Sequence, residues 1–136
     1  MLDNTDKSIL KELSINSRIT MKELGEKVHL TGPATSARVA KLEDLGIIEG
    51  YTINVNQAKM GYPVHAIIHI YTQSTNHHPY LSFTLDQNQF ILNNYKVSGE
   101  YCYLLECRFP SNEKLDEFLK KLSELVGYQL SIVISK

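Results

Sequence analysis

Apolar side chains recur at helical spacing at the start of the chain. Ile9 and Leu13 share one face of a helix that this spacing predicts over about residues 4–14. Asp3 precedes this helix as a candidate N-cap, and Asp6 lies in its first turn, where a carboxylate favours the helix dipole. The pattern therefore predicts an amphipathic first helix with an acidic cap.

A second short helix is predicted over about residues 21–28. Thr20 and Glu23 have the spacing of a capping box, in which the threonine hydroxyl accepts a backbone N–H and the carboxylate reaches back to the cap backbone. Leu24 and Val28 share the apolar face of this helix. The pattern indicates a capped helix of about two turns.

A third helix is predicted over about residues 31–45, after only a short turn. Thr31 is its candidate cap, and Gly46 stands where a left-handed residue ends a helix. Its inner face consists of apolar residues at helical spacing: Val39, Leu42 and Leu45. Two capped helices joined by a short turn are typical of a helix-turn-helix, which leaves one helix protruding.

The residues after this helix are rich in β-branched and aromatic side chains. Ile47, Ile48 and the range 51–55 flank Gly50. We predict a small β wing or a connecting strand here.

From Val64 onward, the period of apolar positions changes from 3.6 to two. Four strands are predicted, at residues 64–73, 90–98, 101–109 and 128–135. One helix is predicted at about 79–87, and another is capped by Ser111 and ended by Gly127. The order is β-α-β-β-α-β, which is typical of a ferredoxin-like unit with two helices on one face of an antiparallel sheet.

The predicted sheet is apolar on both faces. Ile68 and Ile70 alternate along the first strand with Ile67 and Tyr71. An apolar second face in so small a unit predicts burial against another subunit, and we expect a homodimer.

Composition excludes some classes of protein but does not identify the function. Hydrophobic residues make up 43% and charged residues 21% of the 136-residue chain, which excludes disorder. The net charge is −1, and residues 1–56 are no more basic than the rest, so composition does not support nucleic-acid binding. The chain has no apolar run long enough for a membrane and no signal-peptide pattern at its start. We expect a cytoplasmic protein with no membrane partner.

The candidate chemistry is sparse. Cys102 and Cys107 stand at odd spacing, so we expect them on opposite faces of a strand and reduced. His65 and His69 would lie roughly 13 Å apart on one strand, too far for one ion. We find no nucleophile elbow and no phosphate-binding glycine loop, and we expect no catalytic residue, no metal site, no cofactor and no enzymatic activity.

The third helix carries the candidate DNA contacts. Its small or polar residues can enter a major groove, with Arg38 at guanine or phosphate and with Thr35 and Ser36 at phosphate or base edges. The candidate DNA-binding residues are Thr31, Pro33, Ala34, Thr35, Ser36, Arg38 and Lys41. The alternative is a three-helix bundle that packs against protein, with Arg38 and Lys41 as a solvated face.

Several segments of the chain resemble the leucine-responsive regulatory protein family (Lrp/AsnC, also called feast/famine regulators). They span nearly the whole chain in the family's order. The segments are Leu2–Leu10, Arg18, Leu24-Gly25, Ser36–Glu43, Gly46–Tyr51 and Val97–Tyr101.

The resemblance implies a fold, partners and a mode of action. The fold class is α+β, with an N-terminal winged helix-turn-helix and a βαββαβ ferredoxin-like ligand-response domain. The implied domains are residues 1–50 for DNA binding, 51–62 as a linker strand and 63–136 for oligomerisation and effector binding. The implied partners are double-stranded DNA, further copies in dimers, tetramers or octamers, and a small amino-acid effector.

The chain departs from the family pattern at two places. In the third helix, Ala37 and Ala40 stand where basic residues are frequent and Gly32 where a proline is common, which predicts weak phosphate neutralisation and a need for several subunits on one DNA. Cys102 stands where relatives often have an acid that can hold an ammonium group. The candidate effector-binding residues are Gly99, Glu100, Tyr101 and Cys102, and the alternative for them is a plain β-turn.

Two other functions remain open at this point. A regulator without a sensor would be an architectural protein that wraps DNA regardless of amino acids. Some tetrapyrrole-processing decarboxylases share the two-domain resemblance, although the few arginines of this chain argue against a polycarboxylate site.

Overall fold

A computed structural model describes all 136 residues, and the chain divides into two units, Met1–Asn54 and Val55–Lys136. The first unit contains three helices: α1 (Asn4–Ile15), α2 (Met21–Val28) and α3 (Gly32–Asp44). The second contains β1 (Val64–Tyr71), α4 (His78–Asp86), a 3-10 turn (Asn88–Phe90), β2 (Ile91–Lys96), β3 (Tyr103–Phe109), α5 (Asn112–Ser123) and β4 (Gly127–Ile132). None of the helices combines the length and the apolar content that a membrane crossing needs.

The helices of the first unit begin at the residues that the sequence predicts. Asp3 accepts the Asp6 backbone N–H at 2.8 Å, and the Asp6 carboxylate accepts the Asp3 N–H at 3.2 Å, so α1 starts with a capping box. Thr20 caps α2 through the Glu23 N–H. The sequence also predicts that the Glu23 carboxylate accepts the backbone N–H of Thr20. That prediction is wrong, because the carboxylate accepts a hydrogen bond from the Thr20 hydroxyl at 2.9 Å.

Close packing of α2 on α3 depends on Gly25. A Cβ at this position would lie 2.5 Å from the Leu30 carbonyl oxygen and 2.8 Å from the Thr35 hydroxyl oxygen. The chain turns between the helices at His29, the one non-glycine residue with positive φ, at 62°. Thr31 then caps α3 by accepting the Ala34 N–H.

Apolar residues of all three helices form the core of the first unit: Ile9, Leu13, Ile19, Leu24, Val39 and Leu42. Gly46 follows α3 with φ of 74°, as predicted. Leu45, which the spacing predicts in the core, is 57% exposed, because α3 ends one residue before it. Residues 47–55 form no strand, in contrast to the predicted wing and linker strand, because no other segment of this chain pairs with them.

The second unit has the predicted β-α-β-β-α-β order. Its antiparallel strands lie in the order β2-β3-β1-β4, which places the first and third strands at the centre. The predicted strands run a few residues too long at several ends. The prediction that Gly127 ends α5 is wrong, because Gly127 begins β4, where a Cβ would overlap the Tyr71 ring.

One face of the sheet packs on the two helices. Its buried side chains alternate along β1 and β3: Ala66, Ile68, Ile70, Tyr103, Leu105, Cys107 and Phe109. Phe83 from α4 and Phe118 from α5 meet over this face with ring centroids 5.0 Å apart. The opposite face, which we call the open face, is not covered by either helix.

Candidate functional site

The exposed side of α3 consists mostly of short side chains, with charged residues near its C-terminal end. The solvent-exposed residues of this helix are Pro33, Ser36, Ala37, Ala40, Lys41, Glu43 and Asp44. Lys41 is the one cation among them, near the C-terminal end of the helix. This side can approach another surface closely because its side chains are short.

Thr35, one of the predicted contact residues, faces the interior. It is fully buried, and its hydroxyl donates to the Thr31 carbonyl at 2.8 Å. A Cβ added to Gly25 would lie only 2.8 Å from this hydroxyl oxygen. The expectation that Thr35 contacts DNA is therefore corrected, because its side chain packs α3 against α2.

Arg38 is held by the start of α1. One terminal nitrogen of its guanidinium lies 2.6 Å from an Asp3 carboxylate oxygen and 3.2 Å from an Asp6 carboxylate oxygen. The hydrogen bond from Arg38, with that from the Asp6 backbone N–H, lowers the pKa of Asp3. Only this one nitrogen is engaged and the side chain is 35% exposed, so the expected contact of Arg38 with guanine or phosphate stays a prediction.

A cavity of about 480 Å³ lies at one edge of the sheet in the second unit. It is lined by Tyr71, Thr72, Gln73, Glu100, Tyr101, Tyr128 and Gln129. The Tyr101 hydroxyl donates to the Gln129 side-chain oxygen, and its ring lies 4.9 Å from the His69 ring, measured between centroids. The lining therefore combines aromatic rings, amides and one carboxylate.

Two of the four predicted effector residues line the cavity, and the other two do not. Glu100 and Tyr101 line the cavity, and Gly99 shapes the preceding turn with φ of 105°. The Cys102 thiol lies 3.7 Å from the Thr72 carbonyl oxygen, and Cys102 is not among the lining residues. Glu100 is the one carboxylate of the lining, so it is the group suited to an ammonium ion.

Sequence reasoning missed the rest of the lining. Tyr71, Tyr128 and Gln129 reach the cavity because β4 pairs with β1, which places Gly127 opposite Tyr71. The strand pattern identifies both strands but not their pairing. The sequence signal that was available is Gln129, which with Ser131 is one of two polar residues in β4.

A polar cluster lies on the open face of the sheet, with Glu106 at its centre. The Glu106 carboxylate accepts a hydrogen bond from the Asn93 amide at 2.8 Å and lies 2.7 Å from the His65 ring nitrogen Nε2. These two contacts lower the pKa of Glu106. Arg108, on the same strand and face, has a buried Nε without a hydrogen-bond partner.

The fold and these sites define a class of protein. An exposed helix in a helix-turn-helix, joined in one chain to a ferredoxin-like unit with a polar cavity, is the arrangement of a DNA-binding regulator. Residues 2–49 match the family model described as winged helix-turn-helix DNA-binding, and residues 65–136 match the one described as Lrp/AsnC ligand binding domain. The chain belongs to the Lrp/AsnC family of transcriptional regulators.

Relatives of known name agree with this assignment. The chain is 59% identical over 136 residues to the HTH-type transcriptional regulator LrpA of Bacillus subtilis, with both chains covered completely. The solved structure of Bacillus subtilis LrpC has a TM-score of 0.92 at 32% identity, covering 100% of this chain and 96% of that one. A transcriptional regulator from Neisseria meningitidis in complex with L-methionine has a TM-score of 0.89 at 26% identity, covering 100% and 92%. Membership of this family favours the regulator over the decarboxylase alternative.

Proposed function

We propose that the exposed side of α3 enters the major groove of double-stranded DNA and that residues 1–50 act as the DNA-binding domain. The observation that supports this most directly is the protruding, doubly capped α3 in a unit that matches a DNA-binding family model. The contacts come from the exposed Pro33, Ser36 and Lys41, with Thr31 at the helix start. Arg38 adds the guanidinium nitrogens that its ion pairs leave free, and Thr35 holds α3 in place.

Binding should depend on salt, and Lys41 should account for part of that dependence. The test is a gel-shift titration of the promoter region of its own gene at several salt concentrations. Replacing Lys41 by alanine should weaken binding to all sequences alike and reduce the salt slope by about one, because the variant neutralises one phosphate fewer. A folded protein that forms no complex at low salt contradicts the proposed DNA site.

We infer that the cavity near Tyr101 binds a small amino acid. Glu100 supplies the partner for the ammonium group, and the hydroxyl and amide groups of Tyr101 and Gln129 supply neutral hydrogen bonds. The Neisseria meningitidis relative is described as a complex with L-methionine, which supports this ligand class. Calorimetric titration with a panel of amino acids tests it, and the absence of saturable heat with any of them favours the effector-independent architectural protein.

We propose that residues 63–136 also join two copies through the open face of the sheet, with residues 51–62 as the linker. The open face carries Ile67 and Leu104 beside the Glu106 cluster, and Arg108 has an unpaired buried Nε there. Apolar groups on a sheet face that no helix covers favour a covering partner. A dimer presents two copies of α3 to successive major grooves. Two dimers that bind the same DNA raise the affinity for it further through avidity.

Changing Ile67 to lysine should convert the dimer to a monomer. In the single chain, the new ammonium lies opposite Glu106 and in contact with water, so the fold tolerates it. In a dimer, the second copy would bury this ammonium away from water, which costs free energy. Light scattering measures the molar mass, and circular dichroism checks the fold. Leu85→Lys is the matched control, since Leu85 is 78% exposed on α4. An unchanged mass for Ile67→Lys refutes this interface.

A further inference from the structure

A second cavity adjoins the proposed effector cavity at the end of β1. It has a volume of about 540 Å³ and shares three lining residues with the first cavity: Tyr71, Thr72 and Gln73. Beyond these residues it is lined by the segment that joins α5 to β4, which includes Glu124 and Leu125. The two cavities therefore border each other along residues 71–73, and we call them together the sheet-end groove.

The charged residues of the sheet-end groove are two carboxylates, Glu100 in the first cavity and Glu124 in the second. Both residues are exposed, and neither carboxylate takes part in an ion pair of the chain. No lysine, arginine or histidine lines either cavity. Because a concave site lined by charges of one sign concentrates ligands of the opposite sign, the groove favours a ligand that carries two positive charges.

The position of Glu124 in the fold adds to this negative potential. Glu124 is the C-cap of α5, and the C-terminal end of a helix carries a partial negative charge from its free carbonyl groups. Of the two lysines in the last turn, Lys120 pairs with Asp116 at 3.1 Å, and neither lysine lines the cavity. A cation beside Glu124 is therefore favoured by the carboxylate and by the helix end together.

The strand arrangement sets the spacing of the two carboxylates. The Cys102 N–H donates to the Ile70 carbonyl at 2.7 Å, which holds the segment that contains Glu100 beside one edge of β1. Gly127 pairs with Tyr71 across the other edge. Neighbouring strands lie about 4.8 Å apart, so the backbones of the two segments are roughly 10 Å apart. Glutamate side chains that line the groove from both sides leave a gap that an amino acid with the four-carbon stem of lysine can span.

We propose that the effector of this regulator is a basic amino acid. Its α-ammonium binds Glu100, and its side-chain cation binds Glu124 at the end of α5. Its α-carboxylate accepts hydrogen bonds from neutral donors between them, the Thr72 hydroxyl and the Gln73 amide. Glu124 is then the residue that sets specificity. The inference rests on the proposed effector function of the cavity and narrows it to amino acids with a second cation.

The test compares two amino acids whose side chains differ by one group. L-Lysine and L-norleucine have the same four-carbon stem, and only lysine carries a terminal ammonium. In calorimetric titrations of the full-length protein, lysine should bind roughly fivefold or more tightly, as expected for one additional charge-assisted hydrogen bond at an exposed carboxylate. Cadaverine, the diamine that lacks the α-carboxylate of lysine, should bind more weakly than lysine, because it leaves the neutral donors without a partner.

Variants assign the preference to one carboxylate. Glu124→Gln should remove the preference for lysine over norleucine, because glutamine keeps the size of the side chain and loses its charge. Glu100→Gln should weaken both amino acids by a similar factor, since both carry the α-ammonium. Glu117→Gln is the matched control, because Glu117 is an exposed carboxylate of the same helix that lines neither cavity, and this variant should retain the preference. Circular dichroism checks the fold of each variant.

The outcomes are distinct. Absence of saturable heat with every amino acid tested means that the proposed effector function fails. If amino acids bind but lysine binds no more tightly than norleucine, the effector function stands and the assignment to a basic amino acid is overturned. A lysine preference that persists in Glu124→Gln also overturns it, because the second cation is then held elsewhere. Cadaverine that binds as tightly as lysine overturns it as well and identifies a diamine as the ligand class.

Discussion

Replacing Gly25 by alanine is expected to destabilise the first unit by about 3 kcal/mol or more and to abolish DNA binding. The added Cβ would lie 2.5 Å from the Leu30 carbonyl oxygen and 2.8 Å from the Thr35 hydroxyl oxygen. Overpacking of this kind usually costs about 1–3 kcal/mol, and here the nearest atom is backbone, which cannot swing aside. The turn between α2 and α3 must move, and α3 moves with it.

Thermal unfolding and gel shifts measure the two effects of this change. Gly50→Ala is the matched control, because nothing lies within 4 Å of its added Cβ, its φ is not positive and it stands outside α3. That variant should retain DNA binding and gain a few tenths of a kcal/mol from the reduced freedom of the unfolded chain. A Gly25→Ala protein with the stability of the parent would show that α2 and α3 pack less tightly than described.

Replacing Gly127 by alanine should weaken amino-acid binding by roughly tenfold or more while the sheet survives, because the displaced Tyr71 ring no longer fits against the ligand. The new Cβ would overlap atoms of the Tyr71 ring, and Tyr71 lines the proposed effector cavity. The ring is the movable end of a side chain that is 47% exposed, so it turns away without breaking β4. The cavity wall then changes shape where the effector is proposed to lie.

Calorimetric titration with the best-bound amino acid gives the affinity, and thermal unfolding reports the fold. Gly50→Ala is the control, because nothing lies within 4 Å of its added Cβ and it belongs to the other unit. An unchanged affinity in Gly127→Ala places the effector elsewhere.

Sequence patterns predict those features that depend on neighbours in the chain. Asp3, Thr20, Thr31 and Ser111 are all recognisable as caps because each bonds a residue three positions later. The strands are visible in their period of two, and the β-α-β-β-α-β order follows from the alternation of periods. Local chemistry is sufficient for these elements.

The features that sequence patterns miss depend on contacts between distant positions. Arg38 stands 35 positions from Asp3 and 32 from Asp6, and no local pattern shows that their side chains meet. The role of Gly127 depends on the pairing of β1 with β4, which brings Tyr71 over it. Leu45 has the correct spacing for the core, yet the helix ends before it. In each case tertiary structure, rather than local propensity, determines the environment of the side chain.

The two free cysteines give the protein a built-in reporter. Burial raises the pKa of the Cys107 thiol to about 12, so almost none of it is thiolate near neutral pH. Cys102 is only half-buried, and its sulfur lies against Thr72, a residue of the proposed effector cavity. A thiol-reactive dye should therefore label the native chain at Cys102 alone, which allows cavity occupancy to be followed as a change in labelling rate without any engineered residue.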